Sequence, residues 1–228
     1  MSIFQRNPQE RRTALSEPVA DMAVGPSGGS RCGDWSVALG VINLVSGAFL
    51  AVMFASLATG GSASPWGPIN DLLSAFGNVI LACLVPHLSR RAARSARARG
   101  FVRAIMVASL AAAASGFLLV AGVLPFEPST VVSMVAIVAQ CVWMIWLNRH
   151  WLRDPALPRM IPLAGLGFGG VLLGAFALAG ASFLLPSGSL PANLLLYPGV
   201  VLGGLAWLLW PTWYILLGQH LRRADPRP

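Results

Sequence analysis

The sequence contains no lysine, only three cysteines and three histidines, and little charge of either sign. Charged residues make up 11% of the 228 positions, against roughly 25% in a typical soluble domain, which excludes an ordinary soluble fold. The sixteen basic residues are all arginine, a usage that reads as a GC-rich bacterial genome rather than as chemistry. Cys32, Cys83 and Cys141 give no disulfide framework, because none falls in a segment expected to meet an oxidising compartment; free thiols in packing roles are expected. HExxH, CxxC and GxSxG are absent, as is a nucleotide-binding glycine loop after a strand. No cofactor is implied, and a membrane enzyme ranks behind the other functional classes.

What the sequence does have is apolar length. Hydrophobic residues make up 56% of it, and about 20 apolar residues suffice to cross a hydrocarbon core as helix. Six such stretches occur, at 36–59, 69–88, 102–124, 130–148, 162–185 and 194–217. Backbone groups in lipid must be satisfied within their own segment, so helices are predicted. A β-barrel would instead show shorter, alternating strands. The fold class is therefore all-α, a polytopic membrane protein of six transmembrane helices. The expected organisation is a disordered cytoplasmic tail over 1–34, a transmembrane domain over 35–221 and a short cytoplasmic tail over 222–228.

Arginine placement gives orientation. The arginines lie before the first stretch, between the second and third, between the fourth and fifth, and after the sixth; the other three loops have none. This is the positive-inside pattern, and it puts both termini in the cytoplasm of an inner membrane. The arginine loops are then expected to meet anionic headgroups of the bilayer. The +8 formal charge does not indicate nucleic acid, since no binding motif accompanies it. The twin arginines Arg11 and Arg12 are separated from the apolar run by a long polar stretch, which suits a cytoplasmic tail better than an export signal. Cleavage after the first helix, near Ala58 or Ala63, stays open. "RRTALS" at 11–16 is a weak match to a kinase site.

The arginine-free loops are short and bracketed by proline: "PWGP" at 65–68, "PFEP" at 125–128 and "PSGSLP" at 186–191. Asn70, Thr130 and Asn193 each follow a proline by two residues and are predicted helix N-caps. The even-numbered helices end alike, in "PHLSRR", "RHWLRD" and "QHLRRAD", which contain all three histidines. Odd-numbered helices share "SGAFL", "SGFLL" and "GAFAL". Three related hairpins in parallel orientation are the favoured reading, with ordinary helix-end chemistry as the alternative.

At 100° per residue, Asn70, Ser74 and Asn78 fall within an arc of roughly 80°, with Asp71 at its edge. Thr130, Ser133 and Gln140 form a similar stripe on the fourth helix, interrupted by Ile137, and Asn193 and Tyr197 lie on the sixth. These stripes mark faces turned from lipid, and two uses compete. One is helix packing through interhelical hydrogen bonds, with Asn43 as a partner. The other is an outward polar cleft binding a small solute, with Asn70, Asp71, Ser74, Asn78, Ser133, Gln140 and Tyr197 as its residues. Asp71 and Glu127, the only charges on that side, also suit helix N-termini. His87, His150 and His220 are rotated roughly 120–160° from the stripe centres, so no metal site is expected.

"GFGG" at 167–170 and "GVVLGG" at 199–204 supply small residues for close helix contact. "WLLWPTWY" at 207–214 reads as an aromatic anchor at the cytoplasmic interface, kinked at Pro211. With "LGQHLRR" after it, this ending resembles that of small six-helix bacterial membrane proteins of uncharacterised function, a resemblance confined to the last helix that implies no activity. Two functional classes remain: a small-solute binding or carrier protein, and a non-transporting structural or regulatory subunit whose protein partner is unknown.

Overall fold

The structure, a computed structural model, describes residues 28–224, with side chains from Arg31 onward. It contains six helices: α1 (Gly28–Ala58), α2 (Trp66–Ser89), α3 (Ala96–Val120), α4 (Phe126–Trp151), α5 (Met160–Ser182) and α6 (Leu190–Ala224). Each is long and apolar enough to cross a membrane, with mean hydropathy of 1.7 to 2.2 in its most apolar window. No strand occurs among the described residues. The chain is an all-α, multi-pass membrane protein. Most of residues 1–34, including the "RRTALS" stretch, and most of the C-terminal tail lie outside the described residues.

Each helix packs on its neighbours in sequence, and α6 closes back on α1 to complete a ring. Lipid offers little hydrophobic drive for helix association, so close approach and hydrogen bonding must hold the ring. Glycine supplies the closure between α1 and α6. Gly33, Gly40 and Gly47 recur every seven residues on α1, a spacing that keeps them on one face. A Cβ on Gly33 would stand 2.9 Å from Gly218 O, and one on Gly40 would stand 2.7 Å from Pro211 O. On Gly47 it would lie 3.1 Å from Leu208 Cδ2. Gly169 of "GFGG" and Gly199 of "GVVLGG" act similarly, against Cys141 O at 3.2 Å and Ala175 O at 3.0 Å. Gly167, Gly170 and Gly204 face open space.

Helix starts differ from the sequence expectation. α2 follows Pro65 and α4 follows Pro125, neither with a side-chain cap. Asn70 and Thr130 therefore lie inside their helices, and Thr130 Oγ1 donates to Phe126 O at 2.8 Å. Pro68 and Pro128 lie in the first turns, where a missing N–H leaves no hydrogen bond unmade, so the helices begin two residues before these prolines rather than two beyond them. Asn193 likewise lies inside α6, where Ser189 Oγ accepts from Ala192 N. At the opposite end α1 begins before residue 35 and α6 continues beyond 221. The two extensions support each other, with Arg222 Nε 2.8 Å from Asp34 Oδ1. The three hairpins are unequal: α1 and α2 have 31 and 24 residues, α3 and α4 have 25 and 26, and α5 and α6 have 23 and 35.

The two halves of the ring are filled differently. Toward the arginine-rich end, Leu84, Val85, Leu88, Trp143, Met144, Leu147, Trp213, Tyr214 and Leu217 form a closed core. Trp143 Nε1 donates to Ser89 Oγ at 2.9 Å, and Trp213 Nε1 donates to Ile161 O at 2.9 Å. Trp151 stacks on Trp213 at 6.0 Å. The aromatic run of α6 is thus not an interfacial anchor. Trp210, Trp213 and Tyr214 are buried in the bundle, because the glycine face of α1 draws this part of α6 inward. Every described arginine is exposed at this same end.

Candidate functional site: a polar cavity within the ring

Toward the arginine-free end the ring encloses a cavity of about 180 Å³. Asn43 and Ser46 of α1, the α2 stripe, Ala112 of α3, Ser133, Ala136, Ile137 and Gln140 of α4, and Trp207, Trp210 and Pro211 of α6 line it. On α2 it extends from Asn70 to Leu81, about 16 Å of helix rise.

Two hydrogen-bonded groups shape the walls. In the upper one, Ser46 Oγ lies 2.8 Å from Asn70 Oδ1, 3.1 Å from Asn70 O and 2.9 Å from Ser74 Oγ, joining α1 to α2. Asn70 Nδ2 donates to Asp71 Oδ1 at 3.2 Å, fixing the carboxylate beside it. In the lower group, Gln140 Nε2 donates to Asn78 Oδ1 at 2.8 Å and to Ser109 Oγ at 3.1 Å, so one amide ties α4 to both α2 and α3. Asn78 Nδ2 donates back to Ser74 O at 3.0 Å. Gln140 is buried, while Asn70, Asp71, Ser74, Asn78 and Ser133 are half-buried.

Six of the seven residues singled out in the sequence line this one cavity: Asn70, Asp71, Ser74, Asn78, Ser133 and Gln140. Ile137, which interrupts the α4 stripe, lines it with them. Tyr197 does not. It is 64% exposed on the outside of α6, roughly 110° around the helix from the face that presents Trp207 and Trp210. Glu127 is exposed and lies outside the cavity as well. The sequence reading missed Ser46, Trp207 and Trp210. The available signal was a pair of polar or amphipathic side chains three residues apart (Asn43 with Ser46, Trp207 with Trp210), a spacing that puts both on one face.

His87 and His150 are occupied elsewhere. His87 Nδ1 lies 2.8 Å from Cys83 O and His150 Nδ1 lies 2.8 Å from Trp146 O, each on its own helix. No three His, Cys, Asp or Glu side chains among the described residues group closely enough to hold a metal ion.

No family model, curated protein or solved structure matches the chain. The cavity's own chemistry therefore carries the functional reading. The described residues offer hydrogen-bond donors and acceptors, one carboxylate and two indole side chains, and none of them pairs a nucleophile with a base.

Proposed function

We propose that this protein binds a small polar solute in the cavity, entering from the outer face of a bacterial inner membrane, as a binding or carrier protein. One observation carries the reading. Asn43 and Ser133 present polar groups to the cavity with no hydrogen bond to any described residue. Both are half-buried, so their hydrogen-bonding groups stand open to the cavity, whereas a side chain serving only as interhelical glue spends them on a neighbouring helix. The closed apolar core below the cavity supports a state closed toward the cytoplasm, with the exposed arginines of that end against anionic headgroups.

A second reading, a non-transporting structural or regulatory subunit, draws on the interhelical bonds themselves. Ser46 with Asn70 and Ser74, and Gln140 with Asn78 and Ser109, would hold a bundle together without any ligand.

Accessibility separates the two. In a background lacking Cys32, Cys83 and Cys141, Asn78→Cys should react with a membrane-impermeant thiol reagent added outside. Phe76→Cys should react more slowly although it is shallower, since Phe76 faces away and packs edge-on against Phe117 at 5.1 Å. Protection at 78 together with labelling of Asn70→Cys would remove the cavity reading.

A further inference from the structure

Resting on that reading, we infer that the solute is a small organic cation of the quaternary-ammonium class, held between the Asp71 carboxylate and the indole of Trp207. The charge inventory of the lining points this way. Among the described residues Asp71 is the only ionisable group that lines it, with no arginine or histidine in the wall. An anion would meet one negative charge and nothing to offset it.

Helix contacts place the two binding groups at one level. Ser46 of α1 bonds to Asn70 and Ser74 of α2, so Asp71 lies in the layer of Ser46. On its other side α1 meets α6 with Gly47 against Leu208 and Gly40 against Pro211. Residue 46 is next to Gly47, so Trp207 belongs to that same layer. Trp210 follows one turn deeper, its ring centroid 5.5 Å from that of Trp207. A cation beside Asp71 would therefore have indole faces across from it. Aromatic faces attract cations through the ring quadrupole, and most strongly where water is displaced. An alkylated ammonium suits the site better than a hydrated metal ion, because Leu81, Ala112, Ala136 and Ile137 make part of the wall apolar. The amides of Asn78 and Gln140, deeper in the cavity, bond to each other, leaving the charge to the layer above.

The test is protection of Asn78→Cys labelling, in the full chain reconstituted into phosphatidylethanolamine–phosphatidylglycerol vesicles. Tetramethylammonium at millimolar concentration should slow labelling, while neutral tert-butanol at equal concentration should not. Asp71→Asn should weaken the protection about tenfold or more, as expected for loss of a charged partner. Trp207→Leu should weaken it at least about threefold, and Trp207→Phe should restore part of it by keeping a ring face. Labelling that both probes slow equally, or that neither slows, overturns the cation assignment and leaves the cavity reading standing. Absence of labelling at 78 overturns both.

Discussion

Gln140 Nε2 donates to Asn78 Oδ1 at 2.8 Å, joining α4 to α2 across the interior of the ring. The two residues are 62 positions apart, and both line the polar cavity. Packing and cavity lining were competing uses of the polar stripes; this pair does both.

The pair should be measurable as a coupling. Gln140→Leu loses bonds to Asn78 and Ser109, so thermal stability in detergent should fall by about 1–2 kcal/mol. In a double-mutant cycle, Asn78→Ala with Gln140→Leu should show about 0.6–1.7 kcal/mol of interaction. Additive losses would mean that the bond contributes nothing to assembly.

Ring closure through glycine makes two similar substitutions behave oppositely. In Gly40→Ala the new Cβ meets Pro211 O at 2.7 Å, a backbone atom that cannot rotate away. Such overpacking should cost about 1–3 kcal/mol. Gly167→Ala meets nothing within 4 Å and should be neutral or stabilising, since alanine is the better helix former by about 1 kcal/mol. Melting temperatures of both variants check this, and equal values would remove the close-packing account.

The ion pair at the arginine-rich end should matter little. Arg222 and Asp34 are 44% and 45% exposed, and exposed pairs contribute about 0–1 kcal/mol. Asp34→Asn should change the melting temperature only slightly, and the exchange Asp34→Arg with Arg222→Asp should be tolerated. A large loss in Asp34→Asn would show that the helix extensions depend on this contact.

Orientation is testable directly. Reporter fusions after Ala98 and Pro228 should report cytoplasm, and one after Gly188 should report the outside, following the arginine asymmetry. An outside signal at Ala98 would reverse the proposed direction of solute entry.

The sequence alone determined the six spans, the segregation of arginine to one end, and which faces of α2 and α4 are polar. These are local properties. Span length follows from the rise per residue and the thickness of the hydrocarbon core, and a polar stripe follows from 100° of rotation per residue. Helix starts were less legible, because proline tolerates helical backbone in a first turn and so left Asn70 and Thr130 inside their helices. Only the tertiary structure decided which faces meet. It set Trp207 and Trp210 against the cavity, took the aromatic run of α6 from the interface into the core, and left Tyr197 outside. The physical reason is that the rotation of one helix against another is fixed by contacts between distant residues. Here the glycines of α1 let α6 approach within backbone contact, and no periodicity within α6 records that approach.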